Sequence, residues 1–268
     1  MWKSLYRNRS VLWSFVARDL RSRYAGTSMG LVWTLLNPIL QILIYVFVFS
    51  SILSSKFGLL RWGEIPYWIY LCSGLLPWIA FQEINARSTT LYLENSNLIK
   101  KVFFPAEVLP AYLTVSGLIN LTISMSFLLL VLAVSGQFPG WAVAFLPVLM
   151  LLQHLACFGL AMALSVLSVF FRDLIQLVQL VLMVWFWATP ICYPEDIVIG
   201  SSSFPTWLQA VYRLNPFLSL VNGYRNIFLK GQIPYWQDMA MALAFGLAAF
   251  LVGKLLFRTQ MKEIVDLV

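Results

Sequence analysis

Between Glu107 and Arg172 the chain runs 64 residues without a formally charged side chain. A soluble domain could not hide so long a neutral stretch without exposing apolar surface, so the segment is expected to lie in lipid. At about 1.5 Å of rise per helical residue and ~30 Å of hydrocarbon, it is long enough for two membrane crossings. Ser135-Gly136-Gln137-Phe138-Pro139-Gly140, near its middle, supplies the turn between them.

Further neutral runs cover Tyr24 to Ser55, Ile65 to Gln82, Leu174 to Pro194 and Met239 to Gly253. Together they predict an all-α polytopic membrane protein forming a single transmembrane domain over residues 1–268. Six crossings are expected near 30–53, 66–86, 108–134, 142–170, 174–194 and 238–257. Only 11% of the residues are charged, where soluble domains carry roughly twice as many.

Lysine and arginine set the orientation, because they are retained on the cytoplasmic side during insertion. Lys3, Arg7, Arg9, Arg18, Arg21 and Arg23 precede the first crossing; Arg87, Lys100 and Lys101 follow the second; Arg172 follows the fourth; Lys254, Arg258 and Lys262 follow the sixth. The opposite side holds Lys56, Arg61, Arg213, Arg225 and Lys230. Both termini are therefore expected in the cytoplasm. The net charge of +7 follows from topology and does not call for nucleic acid. No cleavable signal peptide is expected, since the first apolar run ends at Arg18 without a small-residue cleavage site.

Three segments are neither crossings nor plain loops. Residues 10–24 place Leu12, Trp13, Val16, Leu20 and Tyr24 on one helical face, and Ser14, Arg18, Arg21 and Ser22 on the other. Such a helix lies in the cytoplasmic interface, either as a topological anchor or as a site that receives an anionic lipid-linked substrate. Within residues 87–107, Asn95 or Ser96 can cap a short helix that Pro105 stops, with Leu98, Ile99, Val102 and Phe103 on one side and Lys100 and Lys101 on the other. That helix suits either docking into a groove of a soluble partner or tucking under lipid headgroups. Residues 204–229 hold two apolar stretches too short to span, the second opened by Asn215-Pro216, and read as a pair of outer re-entrant half-helices.

Pro38 and Pro190 are expected inside crossings one and five, as gate hinges or as static packing features. His154 stands alone in a crossing with no second ligand at metal spacing, so a buried, hydrogen-bonded histidine is expected there rather than a metal site. Cys72, Cys157 and Cys192 read as small apolar residues. No paired carboxylates, no Gly-x-Ser-x-Gly elbow and no phosphate loop occur, so no catalytic residue is assigned. Gly253-Lys254 is followed by Leu255 where a phosphate loop needs a hydroxyl. The near absence of charge in the crossings speaks against a carrier driven by buried acids. Aromatics such as Trp185, Trp187 and Tyr193 form either a stacking lining for sugar rings or interface belts and packing.

Several segments together resemble the permeases of polysaccharide-exporting ABC-2 transporters. They are Arg18-Asp19-Leu20-Arg21-Ser22-Arg23-Tyr24, Ser28-Met29-Gly30-Leu31-Val32-Trp33, Asn37-Pro38, Leu76-Pro77-Trp78 with Phe81, and Glu94-Asn95-Ser96-Asn97-Leu98-Ile99-Lys100-Lys101-Val102-Phe103-Phe104-Pro105. Phe171-Arg172-Asp173-Leu174, Thr189-Pro190-Ile191, Tyr193-Pro194 and Leu214-Asn215-Pro216 follow in the family's order.

The resemblance implies that residues 94–104 are the coupling helix docked on a separate ATPase, with Glu94, Asn95, Leu98, Lys100, Lys101, Val102 and Phe103, joined by Arg172 and Asp173, near that partner. It implies a homodimer of this chain with two nucleotide-binding subunits, which would hold the ATP and magnesium, so that this chain carries no cofactor. Arg18, Arg21 and Arg23 would meet the phosphates of a polyprenyl diphosphate-linked polysaccharide at the membrane. Trp33, Tyr45, Trp78, Phe81, Trp185, Trp187, Pro190 and Tyr193 become candidates for channel lining or gate. The expected function is export of lipid-linked polysaccharide, O-antigen first, through the bacterial inner membrane. Capsule or teichoic-acid export, a small-amphiphile exporter, and a membrane enzyme of lipid-carrier sugar metabolism are the alternatives.

Overall fold

A computed structural model describes residues 2–22, 32–48, 66–100, 105–195, 198 and 205–267. All of its regular elements are helical, with no strand among the described residues. In chain order they are α1 (Trp2–Arg7), α2 (Arg9–Ser22), α3 (Val32–Phe47), α4 (Tyr67–Ser88), α5 (Leu91–Glu94), α6 (Ser96–Ile99), α7 (Val108–Val134), α8 (Leu146–Phe170), α9 (Leu174–Ala188), α10 (Thr206–Arg213), α11 (Pro216–Lys230) and α12 (Trp236–Leu267).

Three described helical stretches are long and apolar enough to cross a membrane: Val108–Val134, Gly140–Phe170 and Trp236–Met261. The second combines α8 with a 3-10 turn over Gly140–Phe145. The chain is thus a multi-pass membrane protein. Helices α3 and α9 have only 16 and 15 residues, roughly 22–24 Å of rise.

The 22-residue α4 is the central post of the bundle. Its apolar and small residues go around the whole circumference, so it is buried on every side, and α7, α8, α9 and α11 pack against it. Helices α8 and α12 meet backbone to backbone where Gly159 faces Ala249, Phe250 and Gly253. A Cβ at Gly159 would collide with the α12 main chain, so van der Waals packing of bare backbone holds this pair together, as small residues do between membrane helices. In contrast, α9 buries only Val178 and Leu182 and presents Leu177, Leu180, Val181, Val184 and Trp187 outward.

Four expectations change in detail. Pro190 lies beyond α9, not inside it: the helix ends at Ala188, and Thr189 is extended at φ −109° and ψ 133°, the conformation that a following proline enforces. Trp13 is 58% exposed and does not share the inner face of α2. That face is Leu12, Phe15, Val16 and Asp19 at helical spacing, with the Phe15 ring 5.4 Å from that of Tyr112. Of the segment expected as a helix over 94–104, Glu94 closes the separate α5, α6 covers Ser96–Ile99, and residues 101–104 lie outside the described residues. Asn95 makes no side-chain cap bond to α6, and its amide nitrogen donates back to the Leu91 carbonyl at 2.9 Å. The expected cap at Asn215 and the proline at the first position of α11 are both present. His154 is buried, with Nδ1 2.8 Å from the Met150 carbonyl oxygen.

Candidate functional site

The turn after α9 is gripped from two helices, α4 and α11. Tyr67, in the first turn of α4, donates its hydroxyl to the Cys192 carbonyl at 2.5 Å. One helical turn on, the Tyr70 hydroxyl lies 2.7 Å from the Tyr193 carbonyl and 3.2 Å from that of Pro190. From α11, Arg225 donates through Nη2 to the carbonyls of Pro190 and Ile191, and its guanidinium lies over the Tyr70 ring. Only 5% of Arg225 is exposed, so the carbonyls and the aromatic face stand in for the water it has lost.

Asn215 fastens the same turn from the start of α11. Its Oδ1 accepts from the Phe217 backbone N–H at 3.1 Å and from Trp185 Nε1 at 2.8 Å. Its amide nitrogen donates to Thr189 Oγ1 at 2.8 Å and to the Ala188 carbonyl at 3.2 Å. One side chain therefore caps α11 and receives the free end of α9. A proline turn whose carbonyls cannot pair within a helix is satisfied by tyrosine, arginine and asparagine.

Below this clamp sits an aromatic cluster. The ring of Phe217 lies 4.9 Å from that of Trp78 and 4.8 Å from that of Phe81. Trp185 meets Phe81 edge-on at 5.3 Å. Each such pair adds about 0.5–1.5 kcal/mol beyond burial.

At the opposite end of α4, Asp19 of α2 is buried and bonded to the Arg87 guanidinium. Arg87 also reaches Glu83 one turn back, at 3.5 Å. This pair anchors α2 to the bundle, and the partner charge keeps Arg87 protonated despite its burial.

The expected site residues fall as follows. Arg18 and Arg21 are exposed, Arg18 over the Phe15 ring at 4.2 Å, and Arg23 lies outside the described residues. Glu94 and Lys100 are exposed and Asn95 and Leu98 half-buried, while Ile99 turns into the core; Lys101, Val102 and Phe103 lie outside the described residues. Arg172 and Asp173 are exposed in the turn between α8 and α9. Trp78, Phe81 and Pro190 are inside the protomer, Trp33, Tyr45, Trp185 and Tyr193 are half-buried, and Trp187 is 62% exposed. The structure brings Trp78, Phe81, Trp185, Pro190 and Tyr193 together around one clamp. Sequence reasoning missed Tyr67, Tyr70 and Arg225 of this clamp, and the Asp19–Arg87 pair at the other end of α4. A signal existed for Arg225, an arginine amid the apolar residues of a half-helix, but it counted only as a loop charge.

Residues 10–229 match the family model of the ABC-2 type transporter membrane domain. The O-antigen export system permease protein RfbA of Myxococcus xanthus is 31% identical over 98% of this chain and 97% of its own length. A protein of the same name from Klebsiella pneumoniae is 28% identical over 90% of this chain and 88% of its own. The polysialic acid transport protein KpsM of Escherichia coli is 22% identical over 91% of this chain and 90% of its own. With a match over most of its length, on an all-helical bundle of the expected order, this chain belongs to the ABC-2 type transporter family.

Proposed function

We propose that this chain is the transmembrane permease subunit of an ATP-driven exporter that carries lipid-linked polysaccharide, O-antigen first, outward across the bacterial inner membrane. The end-to-end likeness to O-antigen export permeases carries this reading. The more distant likeness to a polysialic acid transporter supports a glycan cargo over a small amphiphile.

In this reading the chain makes six crossings with both termini in the cytoplasm, and it works as a homodimer beside two ATPase chains that bind ATP and magnesium. The uncovered apolar residues of α3 and α9 would face the second copy or lipid. Residues 94–104, with Arg172 and Asp173, would receive the ATPase. The half-buried Leu98 and exposed Glu94 and Lys100 have the mixture of anchor and register charges that such docking needs. Arg18, Arg21 and Arg23 would hold the carrier's diphosphate, and the clamped turn at Pro190 would be the outer gate. Trp33, Tyr45, Trp185, Trp187 and Tyr193 remain the candidate aromatics with surface available to a sugar chain. Trp78 and Phe81 would act behind them as packing.

Deleting the gene tests the reading. Lipid-linked polysaccharide should accumulate in the cytoplasm and vanish from the surface while synthesis continues. Unchanged surface glycan, or glycan missing on both sides, would refute it.

A further inference from the structure

Helices α3, α4 and α7 enclose a pocket of about 210 Å³ whose polar side chains come from all three: Asn37 and Gln41 of α3, Glu83 of α4, and Asn120 and Ser124 of α7. Asn120 stands near the middle of the membrane-crossing α7, so this is polar chemistry placed at hydrocarbon depth. Polar side chains there are costly unless they meet a partner or line a polar path. Asn120 Oδ1 is buried without a hydrogen-bond partner. Ser124 donates to the Asn120 carbonyl at 3.0 Å, and Gln41 donates to the Tyr45 hydroxyl at 3.1 Å, which joins the pocket to one of the aromatics expected along the channel. Pro38 lines the wall and supplies no N–H, so it frees a carbonyl of α3 from its helical partner.

The chemistry of the lining selects its occupant. Three amides, a hydroxyl and a carboxylate offer both donors and acceptors, and among the described residues of the wall there is no cation to receive a phosphate. Arg87, one turn beyond Glu83 on α4, is itself bound to Glu83 and Asp19. An acyl chain would leave Asn120 Oδ1 unsatisfied and offer nothing to the remaining polar capacity of the lining. At ~30 Å³ per water the space holds roughly seven waters, about the bulk of one pyranose ring. We propose that this pocket is a subsite within the membrane for a single neutral sugar residue of the exported chain, held through its hydroxyls. This rests on the polysaccharide-export reading given above. Glu83 links the subsite through Arg87 to Asp19 of α2, so a bound sugar hydroxyl that draws on Glu83 acts on the same carboxylate that positions Arg87 against the interface helix.

The test uses the whole export system in cells. Asn120→Leu should lower surface glycan by about tenfold, the equivalent of one or two hydrogen bonds, with membrane level and copurification of the ATPase unchanged. Asn120→Ser, which keeps an uncharged donor and acceptor, should restore much of the export. Independently, Ser124→Cys in a chain with the three native cysteines replaced should react with a small hydrophilic methanethiosulfonate in a strain that makes no polymer. It should react several-fold more slowly in a strain that does. Wild-type export by Asn120→Leu, equal reaction rates in the two strains, or no reaction in either would each overturn the subsite. A wild-type system that exports no glycan at all would instead remove the export reading.

Discussion

The guanidinium of Arg225 lies 3.6 Å from the centre of the Tyr70 ring, and both side chains hold the carbonyl of Pro190. A cation of α11 and a phenol of α4 thereby fix one proline turn. Arg225→Ala should therefore cost about 2–4 kcal/mol, since a buried cation–π contact and two charge-assisted hydrogen bonds go together. Tyr70→Phe keeps the ring and should cost less, about 1 kcal/mol. Thermal unfolding of the purified protein in detergent checks the order, and an equal effect of the two would mean the ring contact is idle.

Asn215→Ala should destabilise by more than the roughly 1 kcal/mol of an ordinary helix cap. The same side chain also holds Trp185 and Thr189. Asn215→Asp retains the acceptor that caps Phe217 but loses the donated bonds to Ala188 and Thr189, so an intermediate loss is expected. Proteolysis of the turn after α9 would rise in the same order, read by limited digestion of reconstituted protein.

Asp19 and Arg87 should couple energetically. In a double-mutant cycle with Asp19→Ala and Arg87→Ala, an interaction of about 1–3 kcal/mol is expected, because the carboxylate is buried and directly paired. A coupling near zero would show that α2 is held by Phe15 and Val16 alone.

Leu98 and Ile99 separate docking from folding. Leu98→Asp should abolish copurification with the ATPase subunit while the permease still inserts. Ile99→Asp should lower the amount of folded permease, because Ile99 is 4% exposed and belongs to the core. Retention of the ATPase by Leu98→Asp would remove the coupling assignment of this segment.

Cysteines placed at Ser22, Ser96 and Gln260 should resist a membrane-impermeant thiol reagent in intact cells, whereas one at Gln232 should react, once the native cysteines are replaced. Labelling of position 96 from outside would overturn the six-crossing arrangement.

Much of this architecture was open to reading because it is written within single segments. The absence of charge over 64 residues requires lipid, and Gly136 and Gly140, at φ 72° and 70°, turn the chain between α7 and α8 where the sequence placed the turn. Asn215-Pro216 starts a helix by the local rules of capping. The same locality misled at Asn95, which makes no cap bond to α6 and donates back to the Leu91 carbonyl. It misled at Trp13 too, since the amphipathic pattern allowed a face containing it, and the buried Asp19 rotated the real one away.

The sequence alone determined that the chain lives in a membrane, where α7 runs, where α8 ends and α9 and α11 begin, and which family it resembles. These follow from charge-free length, caps and motif order, all properties of consecutive residues. Only the tertiary structure decided that Asp19 belongs with Arg87, 68 residues away, and that Tyr67, Tyr70, Asn215 and Arg225 converge on the Pro190 turn. It likewise brought five scattered uncharged and acidic side chains around one pocket between α3, α4 and α7. Each of these groupings satisfies buried polar groups across helices, and which partners meet is fixed by how the helices pack, with α4 as the post that nearly all of them share.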